Sequence, residues 1–175
     1  MSISSYIRTI PDFPKKGVQF RDVTTLFLNP QGWRETVDEL VARYKDSGIK
    51  TVAVIEARGF LVGGALAYQL GCGVLLLRKK GKLPGKTRGV DYTLEYGADR
   101  IEVHEDAITP GEKILVIDDL IATGGTAEAA VALLEESGAS IHELAFLVDL
   151  PYLGGAQKLR DKGYSVFTLC SFNGE

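Results

Sequence analysis

Val116-Ile-Asp-Asp-Leu-Ile-Ala-Thr-Gly-Gly-Thr126 is the stretch on which the reading of the fold turns. The apolar run Lys113-Ile-Leu-Val-Ile-Asp118 reads as a strand, feeding a glycine-rich turn and then a helix from about Thr126 to Ser137. It delivers two adjacent carboxylates, Asp118 and Asp119. Neighbouring strand residues face opposite ways, but at a fraying strand end both can turn toward one ligand and accept from vicinal hydroxyls. The turn after them, Ala122, Thr123, Gly124, Gly125 and Thr126, supplies small residues whose backbone amides can converge on a phosphate at the helix N-terminus. Thr123 and Thr126 add hydroxyl donors. Acids at a strand end beside an anion nest imply a sugar phosphate.

The flanking sequence repeats the same strand-then-helix order. Thr51-Val-Ala-Val-Ile-Glu56 ends in a charged, glycine-containing turn, and Phe60 to Leu70 is apolar nearly all round, which predicts strand, loop and buried helix. Val74–Arg78, Ile141–Val148 and Tyr164–Leu169 are further strand-like runs. Asn29-Pro30 reads as a cap and first-turn proline opening an amphipathic helix over about 30–46, with Trp33, Val37, Leu40, Val41 and Tyr44 on one face. The alternation predicts an α/β fold: a mainly parallel twisted sheet with helices on both faces, binding ligands at the carboxyl ends of its strands.

Two stretches break the alternation. Residues 79–100 hold four glycines and a proline without a periodic apolar face, and read as a long loop or an irregular hairpin, of the kind used as a lid. Residues 11–25 carry two prolines and a glycine around Phe20-Arg21 and read as a flap over the sheet. At 175 residues, 45% hydrophobic and 25% charged, the default is one compact domain over 1–175, with a hood of about 1–28 and a flexible loop of about 79–100.

Composition excludes several classes. Twenty Lys and Arg against 23 Asp and Glu give a net charge of −3, so no global positive field recruits nucleic acid or an anionic membrane. Cys72 and Cys170 lack the spacing of a disulfide framework or a zinc site and read as free thiols in a reducing cytoplasm. No window supplies the ~20 apolar residues of a membrane span. Gly81-Lys-Leu-Pro-Gly-Lys-Thr87 is one residue short of a nucleotide-binding P-loop, no apolar strand runs directly into it, and Thr87 opens no periodic helix. His104 and His142 lie far apart and outside any metal-binding pattern.

The stretch VIDDLIATGGT resembles the phosphoribosyl pyrophosphate (PRPP) binding loop of the type I phosphoribosyltransferases. Phe13-Pro-Lys-Lys-Gly-Val-Gln-Phe-Arg-Asp22, Glu56-Ala-Arg-Gly-Phe60, Arg78-Lys-Lys-Gly-Lys-Leu-Pro-Gly85 and Tyr92-Thr-Leu-Glu-Tyr-Gly97 follow in order as in the adenine phosphoribosyltransferases. The resemblance runs from about residue 6 to the end. It implies transfer of a phosphoribosyl group from PRPP to adenine, giving AMP and pyrophosphate, with Mg²⁺ as cofactor held mainly by PRPP and water rather than by protein ligands.

It also implies residue roles. Arg58, Arg78, Lys79 and Lys82 form a local cationic cluster for PRPP, with Arg58 and Lys82 stabilising the leaving group. Asp118, Asp119, Ala122, Thr123, Gly124, Gly125 and Thr126 hold the ribose phosphate. Glu95 meets the base edge as acid, base or electrostatic partner, and Tyr96 packs beside it. Phe20 stacks on the purine while the main chain of Gln19 and Arg21 reads its edge. A cis peptide is expected at Glu56–Ala57. A homodimer is implied, without nucleic acid or membrane partners. The fold and PRPP loop leave a xanthine- or guanine-directed enzyme and a PRPP-sensing transcriptional regulator as alternatives.

Overall fold

A computed structural model describes residues 2–94 and 97–174. Strands β1 (Arg8–Pro11) and β2 (Gln19–Asp22) form a separate antiparallel ribbon, followed by the short helix α1 (Thr24–Leu28). Asp22 ties ribbon to helix: its carboxylate accepts from the Thr24 hydroxyl and amide and from Arg8, bonds that hold it down to about 2. Helix α2 (Pro30–Tyr44) is capped by Asn29, whose side chain accepts from the N–H groups of Gln31 and Gly32 at 3.0 and 2.9 Å.

The remaining elements are β3 (Thr51–Ile55), α3 (Gly59–Leu70), β4 (Gly73–Lys79), β5 (Thr87–Leu94), β6 (Gly97–His104), β7 (Lys113–Ile121), α4 (Gly125–Glu136), β8 (Ser140–Asp149), α5 (Gly155–Asp161) and β9 (Val166–Ser171). They build one seven-stranded sheet in the order β5-β6-β4-β3-β7-β8-β9. From β4 to β9 the neighbours pair in parallel; β5 and β6 are antiparallel. Val116, Leu144 and Phe146 pack on α4 and α5 through Ala130, Leu133, Leu134 and Leu159 on one face. Val54, Ile117 and Leu147 pack on α2 and α3 through Leu40, Tyr44, Val62 and Leu66 on the other. The sheet is thus covered on both faces, as its continuous apolar strands require.

Order places the site. The chain runs from β3 outward to β4, then returns to lay β7 on the opposite side of β3. The reversal opens a crevice between the carboxyl ends of β3 and β7, the position where open α/β sheets bind ligands. Glu56–Arg58 follow β3 directly, and the aspartates end β7.

Three expectations change. Of the two readings of residues 79–100, long loop or irregular hairpin, the hairpin holds, and it is regular: β5 and β6 pair over eight positions, from Thr87 opposite His104 to Leu94 opposite Gly97. The period-2 signal was present in Val90 and Tyr92 and in the buried Ile101 and Val103, but glycines interrupted it on one side and a boundary at 100 cut it on the other. β7 does not fray at the aspartates; it continues to Ile121, with Asp118 opposite Phe146 and Leu120 opposite Val148. The last strand begins at Val166, two residues after the expected start, and α5 was not anticipated.

Candidate active site

The glycine turn after β7 is built by backbone. Gly124 has φ +83°, a conformation open to glycine without strain, and it turns the chain from β7 into α4, which starts at Gly125. The turn is braced from behind by the next strand–helix junction. The Gly155 amide donates to the Ala122 carbonyl at 3.0 Å, and a Cβ on Gly155 would lie 2.3 Å from that oxygen, 2.6 Å from Gly124 N and 2.8 Å from Thr123 C. Only a residue without a side chain lets these two backbones meet. Sequence reasoning missed Gly155, although the Gly154-Gly155 pair marks the spot.

Asp118 and Asp119 face different ways, as an intact strand dictates. Asp118 lines a cavity of about 220 Å³ together with Glu56, Arg78, Lys79, Tyr92 and Thr126. A second cavity of about 200 Å³, lined by Ala122, Thr123, Gly124, Gly125 and Thr126, shares Asp118 with the first. Asp119 is buried and accepts from Arg58 Nε at 2.5 Å. The fraying end that would turn both acids toward one ligand is therefore absent: Asp118 lines both cavities while Asp119 is held by Arg58. Burial, reinforced by the Asp119 charge, pushes the Asp118 carboxyl well above the ordinary carboxylate range, and Arg58 opposes the shift.

The cationic residues lie at two places, the turn between β3 and α3 and the end of β4 with the turn that follows it. Arg58 precedes α3, and the Glu56–Ala57 peptide before it is cis, as the resemblance implied. Arg78 and Lys79 end β4. Glu56, which sequence reasoning did not single out, holds both: its Oε2 accepts from Arg78 Nε at 2.9 Å and from the Lys79 amide at 3.0 Å. Lys79 Nζ reaches Asp99 Oδ2 at 3.0 Å, and Tyr92 donates to the same carboxylate at 3.4 Å. Tyr92 and Asp99 were likewise missed, because both sit in a segment read as a loop or irregular hairpin, with no strand register to place them. Lys82 is exposed on the turn after β4, its amide donating to the Lys79 carbonyl at 3.1 Å.

Gln19, Phe20 and Arg21 lie together on β2, each half-buried. The Phe20 ring meets Phe13 edge-on with centroids 5.1 Å apart. The Arg21 guanidinium lies 4.5 Å from the ring centroid of Phe172, immediately beyond β9, which fixes the ribbon at the carboxyl end of the sheet. Glu95 and Tyr96, which join β5 to β6 in sequence, lie outside the described residues. The described site can therefore bind an anion by backbone amides, a polyanion by a cationic turn and a polyol by carboxylates, under an aromatic ribbon.

The phosphoribosyl transferase domain model matches residues 28–173. The adenine phosphoribosyltransferase of Methylobacillus flagellatus is 58% identical over 172 residues, covering 98% of each chain. The crystal structure of adenine phosphoribosyltransferase from Rhodothermus marinus superimposes with a TM-score of 0.89 at 44% identity, covering 97% of this chain and 96% of that one. The Giardia lamblia enzyme complexed with 9-deazaadenine does so with a TM-score of 0.91 at 37% identity, covering 98% of each.

Proposed function

The chain belongs to the phosphoribosyl transferase family, among its adenine phosphoribosyltransferases, and from that membership we propose which residues carry the reaction. The enzyme transfers the phosphoribosyl group of PRPP to adenine, giving AMP and pyrophosphate, a purine-salvage step. The observation that carries the assignment of residues is the meeting of the Gly124 nest, Asp118 and the Arg78–Lys79 pair around adjoining cavities at the sheet's crevice.

In this reading, amides of the 123–126 turn and the hydroxyls of Thr123 and Thr126 hold the 5′-phosphate, and Asp118 and Asp119 accept from the ribose hydroxyls. Adenine N9 attacks the anomeric carbon as the bond to pyrophosphate breaks, with inversion. Negative charge gathers on the departing pyrophosphate, where Arg58, Arg78, Lys79 and Lys82 stabilise it, Lys79 exchanging Asp99 for a phosphate oxygen. Phe20 stacks on the base and the Gln19 and Arg21 main chain reads its edge. Glu95 manages the proton lost from the base, beside Tyr96. The whole chain, 1–175, works as one unit in which the hood of about 1–28 serves the base and the segment of about 79–100 serves the leaving group.

In this reading Mg²⁺ is carried mainly on pyrophosphate oxygens and water, as membership of the family implies. When bound there, Mg²⁺ offsets leaving-group charge. A homodimer is supported by an uncovered apolar face: Leu61 and Tyr68 of α3 and Val74 and Leu76 of β4 are exposed although they flank a sheet otherwise covered on both sides. A cytoplasmic location is supported by two free cysteines and by the absence, among the described residues, of any helix long and apolar enough to cross a membrane.

Pyrophosphate release with PRPP and Mg²⁺, compared for adenine, hypoxanthine, guanine and xanthine, tests the base assignment. A buried edge that expects an exocyclic amino donor leaves a polar group unpaired against a 6-oxo purine, so kcat/KM for the other bases falls by about 10³ or more. Comparable turnover of hypoxanthine, guanine or xanthine would favour the oxopurine-directed alternative. No turnover with any base, alongside tight PRPP binding, would favour the regulator.

A further inference from the structure

Glu102 is a buried carboxylate beside the cationic turn. Its charge opposes binding of any polyanion to Lys79 and Lys82. Its contacts are more specific than its charge. Oε2 accepts from the Gly81 amide at 3.0 Å, in the middle of the turn. Oε1 lies 3.4 Å from Arg100 Nε, and Arg100 Nη1 in turn donates to Asp91 at 3.1 Å. The neighbouring Lys80 amide donates to the Arg100 carbonyl at 3.1 Å, so β6 grips two successive residues of the turn. Residue 89, opposite Glu102 in the hairpin, is glycine, and a Cβ there would come 2.6 Å from Arg100 Nε and 2.9 Å from Glu102 Cγ. The gap left by Gly89 admits the Arg100 guanidinium that holds the carboxylate.

We propose that Glu102, seated by Arg100 in the space left by Gly89, is a positioning residue that fixes the 79–82 turn so that its cations meet pyrophosphate. The proposal rests on the reading of this turn as the pyrophosphate-holding element. Whereas Glu56 secures the start of the turn, through Arg78 and the Lys79 amide, Glu102 secures its apex.

The sign of one effect separates positioning from plain charge. Removing the carboxylate while keeping an acceptor, as in Glu102→Gln, leaves KM for PRPP unchanged or lower, because an opposing charge is gone. Removing the acceptor, as in Glu102→Ala, raises KM for PRPP by about tenfold, with KM for adenine moving less than twofold. Gly89→Ala, which touches neither substrate, shifts KM for PRPP in the same direction as Glu102→Ala. Thermal melts of all variants separate these shifts from loss of fold. If folded Glu102→Ala binds PRPP as well as or better than the parent, or if Glu102→Gln loses affinity as Glu102→Ala does, the positioning role is wrong. Lys79→Ala supplies the control on the underlying reading: an unchanged KM for PRPP there removes the turn itself from the pyrophosphate site, whereas a raised one confines any failure to Glu102.

Discussion

Gly155→Ala lowers kcat/KM for PRPP by about two orders of magnitude, although residue 155 carries no side chain and touches no substrate. The added Cβ falls 2.3 Å from the Ala122 carbonyl oxygen and within 2.8 Å of Thr123 C and Gly124 N, all backbone atoms with no flexible end to yield. The turn must move by about an ångström, a displacement of the kind that costs about 10²-fold when it disturbs a preorganised site. Each charge-assisted bond from an amide to phosphate contributes about 1.5–3 kcal/mol, so losing the aim of one or two accounts for the loss. Gly154→Ala is the matched control. A Cβ at 154 meets nothing within 4 Å, and its cost is confined to the left-handed backbone, φ +73°. Steady-state kinetics with AMP titration calorimetry checks both; a folded Gly155→Ala protein with normal affinity for PRPP and AMP would take the turn out of the phosphate site.

Arg58→Gln has the second large effect, and it acts on stability and catalysis together. Asp119 has only 5% of its side chain exposed and Arg58 Nε is its ion-pair partner, so the substitution leaves a buried carboxylate uncompensated beside Asp118. Breaking a buried pair in this way costs about 3–5 kcal/mol, and the half-exposed Arg58 head places this case at the lower end. For a chain of this length that corresponds to a fall in Tm of about 6–12 °C. Adding Asp119→Asn restores much of the Tm without restoring activity, since the leaving group still lacks Arg58; kcat/KM stays down by about 10² or more. The pH profile moves as well. Asp118 is already pushed up by burial and by Asp119, with Arg58 opposing, so loss of Arg58 carries the acid limb to higher pH. A variant with parental Tm and an unmoved acid limb would show that the pair does neither job.

The strand–turn–helix of residues 113–126 was legible because one short stretch contains the apolar run, the acids and the small residues that its geometry needs. The cis Glu56–Ala57 peptide came from the family resemblance alone, since nothing local in Glu-Ala-Arg-Gly demands it. What escaped the sequence is long-range. Gly155 braces a turn about thirty residues earlier, and its role exists only once β7 and β8 lie side by side. Tyr92, Asp99 and Glu102 belong to a hairpin whose alternation is masked by Gly89 and Gly97, and Gly89 turns out to be a packing requirement of Arg100. The orientation of the aspartates was misjudged for a related reason. Pairing with β8 keeps β7 regular through Ile121, and no residue of β7 itself announces that support.

The central claim is that the crevice between β3 and β7 holds the phosphoribosyl group with its phosphate on the 123–126 amides. A crystal structure with AMP tests it most directly. The phosphate oxygens should lie within hydrogen-bond distance, about 2.7–3.2 Å, of amides between Thr123 and Thr126, with the ribose hydroxyls toward Asp118 and Asp119 and the base against Phe20. AMP bound with its phosphate anywhere else, or with its base away from β2, would contradict it.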